Sequence, residues 1–364
     1  MWNKCRNSNA NKSDRFLVLA IPVVLLLSVI AAAVFIYQVT TVTKITKAAE
    51  LDSRQSDMIS RADLSFKKPV VEQSTPENGQ LKAEESKEKA QNTGLHEDIP
   101  SDKGEITPDK LEKDIRSIIN NERGQYSIAY QNTGSKIRLT INPQKMQAAS
   151  VIKLFVMIET YNQIKEGRIK ENDQITLTSS MKVGGTGSLV GRKDGTVLTI
   201  NQLISLMITQ SDNTATNILI DRVTMDKINS TAKKLGCLDT VIERKMMDFK
   251  AQTKGKDNMT SVDDLCSILL KIYQNQCLGE KFDQKMIEVL KQQENNTKIP
   301  SLLPSDTVVA HKTGELDRVE NDVGIIFSNH GAYVLCILSN EVEAFKARTI
   351  IAKVSKIVYD YSAH

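Results

Sequence analysis

Thr307-Val-Val-Ala-His-Lys-Thr-Gly-Glu-Leu-Asp-Arg-Val-Glu-Asn-Asp-Val-Gly-Ile-Ile-Phe-Ser-Asn-His-Gly-Ala-Tyr-Val-Leu-Cys-Ile-Leu-Ser339 holds three apolar, β-branched runs separated by turns: Thr307–His311, Asp322–Ser328 and Ala332–Ser339. Such runs bounded by Gly, Asn and Asp read as strands in hairpin succession. After them, Ile350, Ile351, Val354, Ile357, Val358 and Tyr361 fall on one face of a helix over 343–361. Near the other end, Leu111, Ile115, Ile118 and Ile119 predict a helix over 109–122. Tyr126–Tyr130 and Lys136–Ile141 flank Asn132-Thr-Gly134, the pattern of a β-hairpin. The stretch between, from about 150 to 293, reads as mostly helical. Two strands at the start and three at the end therefore bracket a helical middle. The economical packing is an α/β (α+β) fold: one five-stranded antiparallel sheet flanked by the terminal helices, with an all-helical subdomain inserted. A site is expected in the cleft between the two parts.

The chain has 364 residues, 40% hydrophobic and 25% charged, enough for one large or two small domains. A net charge of +4 spread over many acids and bases points to no nucleic-acid partner. Cys5, Cys237, Cys266, Cys277 and Cys336 include no CxxC pair, and His96, His311, His330 and His364 are scattered. No metal site or cofactor is expected from such spacing. The cysteines read as buried thiols, with a Cys237–Cys277 or Cys266–Cys277 bridge left open.

Phe16 to Tyr37 is free of charge. As a helix it would span about 33 Å, enough to cross a bilayer. Lys4, Arg6, Lys12 and Arg15 precede it against the single acid Asp14, which predicts a cytoplasmic N-terminus of residues 1–15 and a single-pass anchor over 16–38. Ala31-Ala32-Ala33 offers the rival reading, a cleaved secretory signal, but apolar residues continue through Tyr37. Either way the folded part is expected outside the cytoplasm. Residues 39–108 read as a charged stalk: from Lys47 to Lys110 there are 14 acids, 10 bases and one aromatic, Phe66. Such a segment buries too little apolar surface to offset its ordering entropy. The folded domain is expected over 109–364, as a monomer.

Three short polar signals follow in order. Ser150-Val-Ile-Lys153 opens an apolar helical run, so Lys153 lies one turn from the Ser150 hydroxyl. A helix N-terminus favours developing negative charge, and a desolvated lysine acts as a base. The pair alone equally fits an N-cap serine with a snorkelling lysine. Ser211-Asp212-Asn213 separates two apolar helical runs. By itself it is a turn or helix start; in a cleft, Ser211 is suited to pass a proton to a leaving nitrogen. The Asn213 amide is suited to hold a substrate carbonyl or Lys153. Lys312-Thr313-Gly314 ends the run Thr307–His311, so it lies on a strand; by itself it is an ordinary strand end running into the turn at Leu316-Asp-Arg318. Gly314 permits close approach of a substrate backbone, and Lys312 and Thr313 are suited to a carboxylate.

Together the three signals resemble the penicillin-recognising serine hydrolases, specifically the class A β-lactamases. Gly184-Gly-Thr-Gly-Ser-Leu189, Leu198-Thr-Ile-Asn-Gln-Leu203, Met207 through Leu219 and His311-Lys-Thr-Gly314 share the likeness, which covers about 109–361. The resemblance implies the same two-part fold. It implies Ser150 as acylated nucleophile, Lys153 as base and Ser211 as proton relay. Asn213, Lys312, Thr313 and Gly314 would bind substrate, and the backbone N–H groups of Ser150 and Glu315 would hold the oxyanion. The implied substrate is a β-lactam or a peptidoglycan stem peptide.

The chain departs from that family at three places. The family's glutamate that activates water for deacylation falls here, anchored on Arg244, on Met246. A thioether cannot take that proton, so deacylation is expected to be slow. Asp248 is the candidate replacement, with a loop-fixing pair to Arg244 as its other reading. Glu315 puts a carboxylate where relatives tend to carry a small residue, and it would repel an anionic substrate unless it points away. The strand Asp322–Ser328 lacks a carboxylate-binding arginine, for which Arg318 is the substitute. Three functions then compete: a membrane-tethered β-lactamase, a D-alanyl-D-alanine peptidase, and a non-catalytic domain that senses muropeptides or β-lactams. A Ser-His-Asp hydrolase is a weak fourth, because His311 and Lys312 point to opposite faces of their strand and no Gly-x-Ser-x-Gly elbow surrounds Ser150.

Overall fold

The computed structural model describes residues 107–363. The expected cytoplasmic segment over 1–15, the expected span over 16–38 and nearly all of the expected stalk over 39–108 lie outside the described residues. No helix among the described residues is long and apolar enough to cross a membrane.

The chain enters through α1 (Pro108–Ile119), whose start is set by Pro108 at the first position and by Thr107, which caps Lys110 N–H. Strands β1 (Gln125–Asn132), β2 (Arg138–Ile141) and the two-residue β3 (Met146–Gln147) follow. A single 3₁₀ turn, Ala149–Ile152, leads into α2 (Lys153–Lys165). Then come β4 (Gln174–Thr176), β5 (Val197–Thr199), α3 (Ile200–Thr209), α4 (Asn213–Val223) and α5 (Met225–Lys234). The short α6 (Phe249–Gln252), β6 (Met259–Thr260), α7 (Val262–Tyr273) and α8 (Glu280–Leu290) complete the middle. The chain closes with β7 (Val308–Leu316), β8 (Val319–Ser328), β9 (Gly331–Asn340) and α9 (Ala344–Ser362).

The main sheet is antiparallel with strand order β2-β1-β9-β8-β7. It is the five-stranded sheet the sequence predicts. Along β9, Val334, Cys336 and Leu338 enter the core shared with the helical middle, whereas Tyr333, Leu335 and Ile337 enter the core under α1 and α9. Period-two alternation between two buried faces is why these strands read as unbroken apolar runs. The helical middle stands on the first face, with α2 at its centre: Leu154 through Ile158 are all fully or almost fully buried. Two small ladders, β3–β6 and β4–β5, escape the sequence reading. Cys237, Cys266, Cys277 and Cys336 are free thiols, so the bridges left open in the sequence do not form.

The Lys-Thr-Gly triplet lies inside β7, not at its end. The strand runs on to Leu316, and Asp317-Arg318 turns it into β8 with Arg318 at φ +57°. β7 is an edge strand of the sheet, so it has an unpaired side.

Candidate active site

The helical run that contains Ser150 does not begin as an α-helix. Ser150 sits in the 3₁₀ turn, preceded by Ala149 in the left-handed region at φ +47°. Gly314 on β7 is wedged against this turn. A Cβ there would come within 3.1 Å of Ser150 N, Val151 N and Ala148 O, so only glycine lets the strand approach. Asn321 Nδ2 on β8 donates to Gln147 O (3.0 Å) and Ala148 O (3.2 Å), holding the same turn to the sheet.

Lys153, the first residue of α2, is fully buried. Its Nζ donates to Ser211 O (2.6 Å) and Asn213 Oδ1 (2.9 Å) and lies 3.1 Å from Ser211 Oγ. Lys312 Nζ reaches the same hydroxyl from β7, also at 3.1 Å. Ser211 Oγ thus lies between two amines. Burial pushes the Lys153 pKa well down, and the Lys312 cation pushes it further against the opposing pull of Asp212. Lys312 is likewise fully buried and lowered to about 7, chiefly by burial, with Asp322 opposing and Lys298 assisting.

Local chemistry explains why Ser211 is held there. Asp212 caps α4 by accepting Ala215 N–H (2.8 Å), and its other oxygen accepts Leu189 N–H (2.8 Å). Ser211 takes φ +54°, and its carbonyl also accepts the Thr186 hydroxyl at 2.7 Å. The Gly184–Leu189 segment therefore clamps the Ser-Asp-Asn turn. Asn213 Nδ2 donates to Gly184 O (3.1 Å), and a Cβ on Gly185, at φ +85°, would strike that amide at 2.5 Å.

A cleft of about 590 Å³ opens at this cluster. Ser150, Ser211, Asn213, Thr313 and Glu315 line it, with Met246, Met247 and Phe249 as an apolar wall. Met246 is buried and fixed by Asn217, whose Oδ1 accepts its N–H (2.8 Å) and whose Nδ2 donates to its carbonyl (3.1 Å).

Three expectations need correction. Asp248 does not face the cleft. It is exposed and caps α6, accepting Ala251 N–H at 3.0 Å, a local bond that a carboxylate just ahead of a helix readily forms. Nor does it pair with Arg244, whose partner is Asp257: Nε and Nη2 both lie 2.8 Å from Oδ1. Arg318 is taken up at the β7–β8 turn by an ion pair with Glu341. Glu315 keeps its place on the cleft wall, and its charge is met by Lys298 (3.1 Å) and Asn295 (2.8 Å). His311 has both ring nitrogens engaged, Nδ1 with Asp322 (2.9 Å) and Nε2 with Asn296 (3.2 Å), so it does not serve a Ser-His-Asp arrangement. Sequence reading missed Lys298, Glu320, Arg348, Asn217 and Asp257. Each acts through a partner distant along the chain, which leaves no local signal.

A fold of this kind with a serine, two buried amines and a second hydroxyl at one cleft defines an acyl-transfer serine hydrolase. Residues 110–362 match the model of the beta-lactamase enzyme family, and the chain belongs to that family as a class A-like serine hydrolase. Extended-spectrum beta-lactamase PER-1 of Pseudomonas aeruginosa is 25% identical over 270 residues, covering 69% of this chain and 87% of that one. Among solved structures, a beta-lactamase from Sphaerobacter thermophilus superposes with a TM-score of 0.64 at 26% identity, over 69% of this chain and 96% of that one. A leucine-to-glutamate variant of PBP-A, solved as an acyl-enzyme complex with penicillin G, gives 0.65 at 27% identity, over 69% and 96%.

Proposed function

We propose that the protein is an extracytoplasmic, membrane-anchored acyl-enzyme former that opens β-lactams on Ser150 and releases the product slowly. The observation that carries this reading is the Ser211 hydroxyl held 3.1 Å from both Lys153 Nζ and Lys312 Nζ. A neutral Lys153 has two N–H donors, and Ser211 O and Asn213 Oδ1 take both. Its lone pair is then free to receive a proton. Ser150 Oγ attacks the lactam carbonyl and gives its proton to Lys153; the carbonyl oxygen becomes an oxyanion between the N–H groups of Ser150 and Glu315. Lys153 passes a proton through Ser211 to the ring nitrogen, the C–N bond breaks, and an ester on Ser150 remains. Lys312, Thr313, Gly314 and Asn213 hold the substrate along β7.

Release needs a base for water, and Met246 has none to offer. The same residue favours the second reading, a D-alanyl-D-alanine peptidase whose β-lactam adduct is long-lived. The PBP-A acyl-enzyme with penicillin G supports adduct formation on this architecture. The anchor reading rests on the charge-free stretch Phe16–Tyr37 and the basic residues before it.

The test is to incubate the full chain in detergent with a chromogenic β-lactam and follow colour and intact mass. A burst with a persistent adduct, absent from Ser150→Ala, is the expected result. Sustained fast turnover would overturn slow release; no adduct at all would overturn the acyl-enzyme.

A further inference from the structure

Glu315 follows the Lys-Thr-Gly triplet on β7 and lines the cleft beside Thr313 and Leu316. Its side chain is 36% exposed, so it is open to a ligand and still fixed. Oε1 accepts from Asn295 Nδ2 (2.8 Å) and meets Lys298 Nζ (3.1 Å); Arg348 Nη2 lies 3.9 Å from Oε2. Lys298 is fully buried, and its ammonium also meets Glu320 Oε2 (2.6 Å), Asn321 O (3.1 Å) and Gly314 O (3.3 Å). Arg348 on α9 donates from Nε (3.1 Å) and Nη2 (2.9 Å) to Glu320 Oε1. Two acids and two bases therefore close on each other at the cleft end of β7. Lys298 is sealed from an anion outside, and Arg348 turns Nε and Nη2 to Glu320.

The rest of the wall leans the same way. Glu294 lines the cleft and is exposed. Arg244, the one cation among the lining residues, is bound to Asp257. Lys312 remains, beneath Ser211. Burial raises the Glu315 carboxyl, but Lys298, followed by Arg348 and the Asn295 bond, pulls it below its ordinary range. Glu315 is thus an anion at neutral pH.

We infer that Glu315 sets the substrate class of this cleft: the part of the acyl donor that lies along Thr313–Leu316 is uncharged or cationic, an amide or ester in preference to a free carboxylate. The inference rests on the acyl-transfer reading of the cleft. A fixed carboxylate repels a second one beside it, while its nearest neutralising partner, the buried Lys298, gives the ligand nothing in return. A purely bracing role for Glu315 would hold Lys298 in place without any charge preference.

The two roles separate by comparing benzylpenicillin with its neutral methyl ester on the full chain. Binding is measured in Ser150→Ala and in Ser150→Ala/Glu315→Gln, and adduct formation in the chain with Ser150 intact. Glu315→Gln keeps the shape and the backbone N–H but removes the charge. Expected is a gain on the order of tenfold for the free acid, the size of one like-charge contact, with the ester changed less than about twofold. Glu315→Ala is expected to move the acid-to-ester ratio in the same direction even if it lowers the melting temperature. Equal changes for both probes, or none in either variant, would overturn the inference. If neither probe binds Ser150→Ala, the reading of the cleft falls and the inference with it. If both bind with the expected ratio but Ser150 gives no adduct, only the acyl-enzyme reading falls.

Discussion

Replacing Met246 by glutamate asks directly what limits turnover. The Met246 backbone is held at both ends of its peptide by Asn217, and those bonds survive any side-chain change. The residue is 7% exposed and lines the cleft. A carboxylate there would be partly desolvated, which raises its pKa toward the pH at which a general base works best. General-base assistance is worth about 10²–10⁴-fold, so release of the Ser150 ester is expected to quicken by that much. The substitution also gives up the burial of one methionine, roughly 2 kcal/mol, or about 4–8 °C in melting temperature for a domain of this size. Met246→Gln makes the same packing loss without supplying a base, so it isolates the chemistry from the stability. The assay loads the enzyme with a chromogenic β-lactam, removes the excess and follows intact mass against time. Met246→Glu should clear its adduct while Met246→Gln retains it. Equal lifetimes in the two variants, with acylation rates unchanged, would refute the assignment of Met246 to the water-activating position.

Asp248→Ala removes only the exposed cap of a four-residue helix; it should cost about 0.5–1 kcal/mol in thermal unfolding and leave acylation and release untouched. A large loss of release in that variant would restore Asp248 as a catalytic base. Lys312 titrates at about 7, and its charged form is the one present below that value. Burial, assisted by Lys312, holds the Lys153 pKa well below its usual range. Acylation by a carboxylate-bearing β-lactam should therefore fall as pH rises through about 7, and a stopped-flow profile flat to pH 9 would contradict it. Arg244→Ala leaves Asp257 without its ion partner at a largely buried position and should cost about 3 kcal/mol by denaturant titration, with a shortened protease lifetime for the loop that carries Met246.

The sheet was legible because its central strands are buried on both faces, which writes itself into sequence as unbroken apolar runs such as Tyr333–Leu338. The ladders β3–β6 and β4–β5 were not, since two or three residues are too few for any period to show. Within the site, Ser150, Lys153, Ser211 and Lys312 stand out by their order, and the fold brings Lys153 and Lys312 to the Ser211 hydroxyl in a cleft that Ser150 also lines. The apolar run after Ser150 hid the 3₁₀ turn, because hydrophobic spacing does not distinguish the first turn of a helix from the rest. Asp248 is the acid nearest to Met246 in sequence, yet Arg244 pairs with Asp257, thirteen residues further on. The ring of Lys298, Glu315, Glu320 and Arg348 draws on a loop, two strands and the last helix, and no pattern in the chain announces it.

The order of strands in the sheet also bears on how the protein comes to be made. β1, among the first described elements, is hydrogen-bonded to β9, near the last, with Gln125 opposite Asn340. All of the helical middle is synthesised between them. Until β9 emerges, β1 and β2 form a two-stranded ribbon with a bare edge, too small to be stable alone. Contacts so distant along the chain fold slowly, because the loop must close before the pairing is rewarded. A chain stopped short of residue 331 would carry Ser150, Lys153, Ser211 and Lys312 yet lack the strand that joins the two halves of the sheet. Completion of the cleft is thus tied to completion of the polypeptide.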